Sequence, residues 1–307
     1  GCKMTRNPST IKSASVILNP SAGQGRLLNQ WDAVLEQLKV GFEDVQVYKT
    51  TAPGEGASFV KELEGKTDLI IAAGGDGTVH EIAEAVLSIE ENQPAFGILP
   101  GGTCNDFSRA LGMNQNPIKA ALQLSEKNFS HIDVGEFNGH FFTNFWGVGL
   151  ITHVSESIDP DTKEKFGRLS YYLSAAKSFQ TWEPFEISIS SEEFQFDGQA
   201  AMFLAVNGPF TGGIRPFFPD TDIQDGKLDC LLIEEPSTSF IWDVLLNRLS
   251  DTSKEGQGYH YFQSSEISIK TAPQQLIDCD GERQHRTPAV IKCLQNQLLT
   301  LTGDASF

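Results

Sequence analysis

The stretch Gly74-Gly75-Asp76-Gly77-Thr78 decides how this sequence is interpreted. It follows residues 68–73, which are all apolar after Asp68, and precedes residues 79–87, whose apolar positions fit one face of a helix. A strand, a glycine turn and a helix in this order predict bare backbone N–H groups that can meet a phosphate chain. The glycines allow close approach and positive φ, and the Asp76 carboxylate can hold a divalent cation or orient a hydroxyl.

An alternative explanation of the same stretch needs no ligand. A tight turn followed by a capping box from Thr78 to Glu81 would account for the threonine and the glutamate. It would not account for three glycines around an aspartate, so the stretch favours nucleotide chemistry.

Two further segments repeat the pattern of a strand that runs into small residues. Residues 100–107, Pro-Gly-Gly-Thr-Cys-Asn-Asp-Phe, follow the apolar run 95–99 and precede the helical pattern 108–112. Near the start, residues 19–25, Asn-Pro-Ser-Ala-Gly-Gln-Gly, follow the apolar residues 16–18 and lead into a helix. Three such turns at the carboxyl ends of strands in an open α/β sheet would line one crevice.

The periodicity of the chain divides it near residue 130. Before that point, apolar runs alternate with helical patterns, which predicts a parallel α/β sheet. The expected strands are 16–18, 45–48, 69–73 and 96–99, and the expected helices start at Arg26, near 57–63, at Thr78 and near 117–124. Later strands are expected at 141–145, 185–189, 202–206, 228–233, 267–269, 290–293 and 298–301, with helices only at 166–179 and 240–249. We predict an α/β nucleotide-binding domain over residues 1–130 and a β-rich domain over residues 131–294.

Composition limits the classes of function. A net charge of −17 over 307 residues argues against a nucleic-acid partner, because neutralising phosphates needs a basic face. No apolar run approaches the ~18 residues needed to span a bilayer, and no signal-peptide pattern opens the chain, so a soluble, cytoplasmic protein is expected. The five scattered cysteines lack CxxC spacing, which predicts reduced thiols. Neither GxxxxGK(S/T) nor GxGxxG occurs, which argues against a Walker-type ATPase.

Together the motifs resemble the diacylglycerol kinase catalytic domain of the bacterial soluble lipid kinases, which is related to sphingosine and ceramide kinases. The resemblance is carried by GGDGT at 74–78, PGGTxNDF at 100–107, residues 19–23 and a late Asp280-Gly281-Glu282. GGDGT alone is shared with NAD kinases and phosphofructokinases, and the other motifs are more specific. The resemblance implies an NAD-kinase-like or phosphofructokinase-like first domain, completed by about residues 295–307, and a β-sandwich that receives the lipid substrate.

The resemblance also implies a site for ATP and Mg²⁺, in which Gly74 to Thr78 wrap the phosphates and Asp76 lies near the metal. The implied ATP-contacting residues are Asn19, Thr50, Gly74, Gly75, Asp76, Gly77, Thr78, Glu81, Gly102, Thr103 and Asn105. Thr51 is the alternative to Thr50, one residue along. The chain departs from the usual family pattern at His80, Ala85 and Cys104, which weakens the assignment of a substrate more than that of the fold.

By the same resemblance, Glu282 is the general base of phosphoryl transfer, assisted by Asp280, and Asp76 is the third catalytic residue. The reaction needs a group that accepts the proton of the acceptor hydroxyl. Taken alone, Asp280-Gly281-Glu282 also fits a plain β-turn. Because Glu282 lies over 200 residues after Asp76, the assignment requires the second domain to close over the nucleotide crevice.

A second cation position is suggested by residues 220–227, Asp-Thr-Asp-Ile-Gln-Asp-Gly-Lys. Closely spaced carboxylates beside a glycine turn are typical of oxygen-seeking cations, although the spacing is not that of an EF-hand. The family resemblance implies a structural Mg²⁺ held by Asp222, Asp225 and the Lys227 carbonyl. A solvated acidic turn remains the alternative.

These patterns predict an ATP- and Mg²⁺-dependent kinase acting on a lipid hydroxyl, with diacylglycerol the first expectation. The alternatives are an NAD-kinase-like enzyme acting on a soluble nucleotide and a non-catalytic regulator that binds nucleotide or lipid. We expect a lipid substrate, peripheral contact with a membrane, no nucleic acid, and we leave a homodimer open. The candidates for membrane docking are Lys163, Lys165 and Arg168, or the loop with Arg215, Phe217 and Phe218.

Overall fold

The computed structural model of the protein describes residues 6–149, 183–210, 221–235 and 258–307. The chain divides into two compact units, Gly1–Ile132 with Asn296–Phe307, and Asp133–Gln295. The expected helices at 166–179 and 240–249 lie outside the described residues.

The first unit is an α/β domain, as the sequence predicts. Its strands run parallel in the order β2-β1-β3-β4 and are β1 (Ser13–Leu18), β2 (Asp44–Lys49), β3 (Leu69–Gly74) and β4 (Ala95–Pro100). Its helices are α1 (Arg26–Asn29), α2 (Trp31–Gly41), α3 (Glu55–Glu62), α4 (Asp76–Leu87), α5 (Asp106–Ala110) and α6 (Pro117–Ser125). Short 3-10 turns occupy Pro8–Thr10 and Ala22–Gly25.

The centre of this sheet follows from its continuous apolar runs. All residues of β3 and β4 are buried, as are five of the six in β1. Strands covered by helices on both faces have no need for polar residues at alternate positions. In contrast, β2 lies at the edge and alternates exposed and half-buried residues.

Helix boundaries differ from the expected ones in four places, one of which is α4, expected to start at Thr78 and found to start at Asp76. The single helix expected from Arg26 is interrupted at Gln30, whose φ of −108° and ψ of 11° separate α1 from α2. The helix expected near 57–63 starts earlier, at Glu55, and the one expected at 108–112 starts at Asp106. In the last case the carboxylate that caps the helix comes from a distant part of the chain, as described below.

The second unit contains antiparallel strands, in agreement with the predicted β-rich domain. One sheet has the order β12-β11-β10-β7-β14-β15. These strands are β7 (Phe145–Gly149), β10 (Met202–Val206), β11 (Leu228–Ile233), β12 (Tyr259–Ser264), β14 (Leu276–Cys279) and β15 (Glu282–Arg286). Three further strands lie between these along the chain: β8 (Phe185–Ser190), β9 (Gln195–Ala200) and β13 (Glu266–Ala272). They pair antiparallel with one another in the order β13-β8-β9.

Three remaining strands complete the description: β5 (Phe129–Phe137), β6 (His140–Phe142) and β16 (Ala289–Leu301). The first part of β16 pairs antiparallel with β13, and its last part pairs parallel with β4 through Thr300 and Phe96. The chain therefore enters the second unit through β5 and returns to the first through β16. The core of the second unit includes Trp146 and Phe203, both fully buried, whose ring centroids lie 6.2 Å apart.

Several strand boundaries in the second unit differ from the sequence interpretation. The single strand expected at 141–145 is wrong, because β6 ends at Phe142 and β7 begins at Phe145. The sequence interpretation also missed β5, β9, β12, β14 and β15, whose polar and apolar residues mix without a long apolar run. Among the residues that the structure describes, no helix is long and apolar enough to cross a membrane.

Asp68 ties the start of the chain to the amino end of β3. Its carboxylate accepts the backbone N–H groups of Lys12 (3.0 Å) and Ser13 (3.1 Å) and pairs with the Arg6 guanidinium. Burial acts to raise the pKa of Asp68, but the hydrogen bonds from Lys12 and Ser13 and the charge of Arg6 outweigh it, so its pKa lies below the ordinary value.

We expect Asp68→Asn to lower the melting temperature at pH 7 and to flatten its acid dependence. A carboxyl group with a depressed folded-state pKa stabilises the fold above its unfolded pKa of about 3.9, and this contribution is lost as the pH falls through the folded value. Thermal melts between pH 7 and pH 3 test this, with the exposed Asp44→Asn as the control. Parallel curves for wild type and Asp68→Asn would contradict the assignment.

Candidate active site

Three glycine-containing loops follow β1, β3 and β4 at their carboxyl ends. We call them loop A (residues 19–25), loop B (residues 74–78) and loop C (residues 100–105). The backbone N–H of Asn19 donates to the carbonyl of Ala73 at 2.9 Å, and that of Gly101 donates to the carbonyl of Gly74 at 2.9 Å. The expected meeting of the three motifs thus rests on direct hydrogen bonds between their main chains.

Close backbone contact explains most of the glycines in these loops. A Cβ on Gly102 would lie 2.6 Å from the Cα of Gly75, and one on Gly23 would lie 2.1 Å from the carbonyl oxygen of Gly101. A Cβ on Gly74 would meet the Thr78 side chain at 2.8 Å. A side chain at Gly102 or Gly23 would push neighbouring loops apart, and one at Gly74 would collide with Thr78 within loop B.

Gly77 has no such explanation among the described residues. It is exposed in the first turn of α4, its φ is not positive, and a Cβ there would meet no heavy atom of the described structure within 4 Å. Alanine is the better helix former by roughly 1 kcal/mol. A glycine in this place fits the close approach of a bound ligand to the main chain.

Asp76 joins loop B to loop C. Its two carboxylate oxygens accept the backbone N–H groups of Asn105 at 3.0 Å and Asp106 at 2.7 Å. Asp76 therefore caps the amino end of α5, where a negative charge is favourable. The sequence interpretation placed this carboxylate near a metal and did not anticipate its contact with loop C.

Asn105 shapes loop C from within. It is almost fully buried, and its φ of 53° places it in the left-handed region. Its side-chain oxygen accepts the N–H of Gly102 at 2.9 Å, and its amide donates to the carbonyl of Gly102 at 2.8 Å and to Gln115 at 2.9 Å. Between these residues, Thr103 is exposed at the surface of the loop.

Thr78 and Glu81 do not form a capping box, so that alternative is wrong. Helix α4 starts at Asp76 with Gly75 as its N-cap, which places Thr78 inside the first turn. The Thr78 hydroxyl accepts the side-chain amide of Asn19 at 3.1 Å, which links loop A to loop B. Glu81 accepts the N–H of Ala57 at 3.3 Å, in the first turn of α3.

The neighbouring threonines after β2 have different partners. Thr50 donates its backbone N–H to the carbonyl of Leu18 at 2.9 Å, which places it beside the end of β1. Thr51 donates its N–H and hydroxyl to Glu55, at 2.6 and 2.8 Å. The Thr50 hydroxyl donates to the carbonyl of Leu18 over a longer distance, 3.4 Å, than the Thr51 hydroxyl does to Glu55, so Thr50 is the better candidate for a ligand contact.

Arg26 adds a cation that the sequence interpretation did not single out. Its guanidinium donates to the carbonyl of Gly102 at 3.3 Å, and the residue is exposed at the start of α1. Arg109 contacts other groups than Gly102. Its Nε donates to the carbonyl of Cys104, and its guanidinium lies 5.0 Å from the ring centre of Phe307. The sequence signal that could have identified Arg26 is its position as the first basic residue after the glycines of loop A.

Asp280 and Gly281 form the turn between β14 and β15, and Glu282 follows it. Positive φ angles of 50° at Asp280 and 90° at Gly281 fit a two-residue type I′ hairpin. The Asp280 carboxylate accepts three backbone N–H groups, those of Thr143 (2.7 Å), Asn144 (2.9 Å) and Phe145 (2.8 Å). Glu282 follows as an exposed residue at the start of β15.

The acidic turn lies within a larger group of carboxylates. Asp222 accepts the N–H of Gln224 and Asp225 accepts the N–H of Lys227, each at 2.9 Å, which gives two Asx-type turns. The fully buried Asp133 accepts the N–H of Gly226 at 2.6 Å. Asp133 and the equally buried Asp229 were missed because neither belongs to the acidic stretch of sequence.

The electrostatics of this acidic group favour a positive charge. Burial raises the pKa of Asp225 above its ordinary value, and the nearby carboxylates of Asp229, Asp222 and Asp133 raise it further. Burial also raises the pKa of Asp229, whose Oδ2 is buried without a hydrogen-bond partner in the described structure. Within that part of the chain, no three His, Cys, Asp or Glu side chains form a ready metal cluster. The residues nevertheless fit a cation that also uses a backbone carbonyl.

The expected docking residues Lys163, Lys165, Arg168, Arg215, Phe217 and Phe218 lie outside the described residues. His80, which departs from the family pattern, lies 3.6 Å from Glu84 one helical turn along α4. This contact explains the histidine as part of the helix surface.

Comparison with known proteins gives matches along nearly the whole chain. Residues 13–137 match the family described as diacylglycerol kinase catalytic domain, and residues 147–302 match the YegS C-terminal NAD kinase beta sandwich-like domain. A Staphylococcus haemolyticus protein named "Putative lipid kinase" is 35% identical over 79% of each chain, and one of the same name from Staphylococcus aureus is 31% identical over 94% of each chain. The structure of a "putative diacylglycerol kinase" from Bacillus anthracis superposes with a TM-score of 0.83 at 30% identity, covering 96% of this chain and 98% of that one.

The glycines of loops B and C generate a paired prediction. We expect Gly102→Ala to lower the melting temperature by several degrees, because its Cβ would overlap the Cα of Gly75. Gly77→Ala should leave the melting temperature unchanged or raise it, since the new methyl group has open space and alanine favours the helix. Differential scanning calorimetry of both variants without ligand tests the pair. Equal losses would contradict the division between packing glycines and open ones.

Proposed function

Because this chain belongs to the family of the diacylglycerol kinase catalytic domain, we propose that it is an ATP-dependent lipid kinase. It transfers the γ-phosphate of ATP to a lipid hydroxyl, and diacylglycerol is the acceptor that we place first. The observation that supports this most directly is the hydrogen-bonded junction of loops A, B and C, which presents an exposed glycine at a helix amino terminus.

Phosphate binding is assigned to the amino end of α4 and its surroundings. The N-cap of α4 is Gly75, which has no side chain to cap the helix, so the first N–H groups are suited to an anion. The absence of a side chain at Gly77 lets the phosphates approach the backbone. Arg26 beside Gly102 supplies a positive charge at the same loops.

The other assigned nucleotide residues act through position. Asn19 holds Thr78, and Asn105 and Asp76 hold loop C, so that these polar groups stay fixed when the phosphates bind. Thr50 and the exposed Thr103 supply hydroxyl groups near the same strand ends. Fixed hydrogen-bond donors stabilise the developing charge without reorganising, which is how most of the catalytic effect arises in phosphoryl transfer.

Glu282 is assigned as the group that accepts the proton from the lipid hydroxyl. The turn offers two carboxylates, but the Asp280 oxygens already accept three main-chain N–H groups. Glu282 is exposed, and its carboxylate takes part in none of the hydrogen bonds found among the described residues. We therefore give Asp280 the role of holding the turn and Glu282 the role of general base.

Magnesium has two places in the proposal. A carboxylate has about four lone-pair sites, so Asp76 can accept the N–H groups of Asn105 and Asp106 and also hold the ion that is bound with ATP. That ion would neutralise charge on the transferred phosphoryl group. In the second unit, Asp222, Asp225 and the carbonyl of Lys227 would hold a structural ion. Such an ion would offset the burial and the repulsion from neighbouring carboxylates that together raise the pKa of Asp225.

A lipid acceptor implies that the protein meets a membrane surface to obtain its substrate, and we propose peripheral membrane contact from the cytoplasmic side. With a net charge of −17, attraction to anionic lipid cannot come from the protein as a whole. Contact must then rely on a local apolar or basic surface.

The kinase proposal is tested by incubating the purified chain with labelled ATP, Mg²⁺ and either a bacterial lipid extract or a short-chain diacylglycerol in detergent. We expect label in the extracted lipid.

Glu282→Gln should reduce kcat by roughly 10²-fold or more at an unchanged KM for ATP, because it removes the base and keeps the shape of the side chain. Gly77→Ala should instead raise the KM for ATP. Label on a soluble nucleotide acceptor would contradict the lipid assignment, and a fully active Glu282→Gln would contradict the base.

The structural cation is tested by thermal melts with and without Mg²⁺ at pH 5 and pH 8. A carboxyl group whose folded pKa is raised stabilises the fold at low pH, and this contribution is lost as the pH rises through the folded value. At higher pH more of these carboxyl groups are ionised, so Mg²⁺ has more repulsion to relieve. The increase in melting temperature on adding Mg²⁺ should therefore be larger at pH 8 than at pH 5, and Asp225→Asn should abolish it. Sodium chloride at matched ionic strength is the control. The same Mg²⁺ response in wild type and Asp225→Asn would contradict this site.

A further inference from the structure

Asp278 is a fully buried carboxylate in β14, two residues before the turn that carries Asp280 and Glu282. Its Oδ1 accepts the backbone N–H of Gly281 at 2.8 Å, and its Oδ2 accepts the Nε of Arg283 at 3.3 Å. Gly281 and Arg283 are the two residues that flank Glu282 in the chain.

An aspartate is energetically unfavourable at this buried position. Its neighbours in β14, Ile277 and Cys279, are buried members of the apolar core. Burying a charged carboxylate has a large desolvation penalty, and an apolar residue of similar size is often as stabilising or more so. Packing alone therefore does not explain Asp278, whereas its hydrogen bonds to Gly281 and Arg283 show that it holds the hairpin.

The turn is fixed from two directions. Asp280 binds the start of β7 through its carboxylate, and its own N–H donates to the carbonyl of Phe145 at 3.0 Å. Asp278 acts on the other side, where it fixes Gly281 in its positive φ of 90° and draws the Arg283 side chain back toward β14.

The alternation along β15 separates the anchored residues from Glu282. Arg283 and His285 are half-buried on one face, and the His285 ring lies 4.3 Å from that of His140. Glu282, Gln284 and Arg286 are exposed on the other face. The pairing of β14 with β15 shifts register next to these residues, so the outward direction of Glu282 depends on the contact that holds Arg283 inward as well as on the pleat of the strand.

We propose that Asp278 is a positioning residue for the general base, acting on Glu282 through Gly281 and Arg283. This inference rests on the proposed kinase function and on the assignment of Glu282. Asp278 does not touch the reacting atoms, and its contribution is to restrict the orientation of a carboxylate that is otherwise exposed. A catalytic group displaced by about 1 Å can lose roughly 10²-fold in rate.

The test compares Asp278→Asn in the wild-type and Glu282→Gln backgrounds, on the full chain, with short-chain diacylglycerol in detergent and saturating Mg²⁺. Asparagine keeps the volume and one acceptor oxygen but loses the charge that pairs with Arg283. We expect kcat to fall about tenfold or more in the wild-type background with the KM for ATP within about twofold. In the Glu282→Gln background the same substitution should change kcat by less than about twofold, since the group it positions is already lost. An equal fall in both backgrounds would overturn the proposal.

Asp68→Asn is the matched control, because Asp68 also accepts backbone N–H groups and pairs with an arginine, but lies at the amino end of β3. It should alter stability and leave kcat unchanged. Arg283→Gln serves as a second variant where Asp278→Asn fails to fold, and it should reduce kcat without adding to the effect of Asp278→Asn. An Arg283→Gln enzyme with wild-type kcat would overturn the proposal.

A readout independent of activity separates this inference from the proposed function. Asp278→Asn should speed hydrogen exchange at residues 279–286, and Asp68→Asn should not. Unchanged exchange in Asp278→Asn overturns the positioning role even in an active kinase. Faster exchange in a chain that labels no lipid supports the role in the hairpin while the kinase assignment fails, and a fully active Glu282→Gln would overturn the inference together with the base.

Discussion

The contact between Asp76 and the amino end of α5 is the interaction on which the candidate site depends. Loops B and C are rich in glycine, and glycine loses more conformational entropy on folding than any other residue. A charged acceptor offsets part of that loss, because its hydrogen bonds to the N–H groups of Asn105 and Asp106 are stronger than neutral ones. The loops can therefore stay free of bulky side chains and still hold one shape.

The sequence treats the glycines of loop B as equivalent, and the structure does not. A Cβ on Gly75 would lie only 3.3 Å from the Cα of Gly102, which comes 27 residues later in the chain, whereas Gly77 faces open space. A motif shows that glycine is present without showing which neighbour excludes a side chain. That distinction requires the position of loop C, which only the folded sheet brings against loop B.

The parts of the fold that could be predicted are those specified by local pattern. The continuous apolar runs of β1, β3 and β4 identify a parallel sheet buried on both faces. The break between β6 and β7 could not be found in this way, because the N–H groups of residues 143–145 turn toward the carboxylate of Asp280. The same limit applies to Asp133 and Asp229, which join the acidic turn only through folding.

The hairpin of β14 and β15 shows why residue type alone does not assign a catalytic role. Three carboxylates occur within five residues, at Asp278, Asp280 and Glu282, and any of them could in principle accept a proton. Asp278 is buried against Gly281 and Arg283, and the oxygens of Asp280 accept the main chain at the start of β7. A carboxylate engaged in this way has fewer lone pairs to offer to a substrate hydroxyl. These hydrogen bonds hold the main chain on both sides of Glu282, and under the positioning proposal that restraint limits the directions open to its exposed side chain.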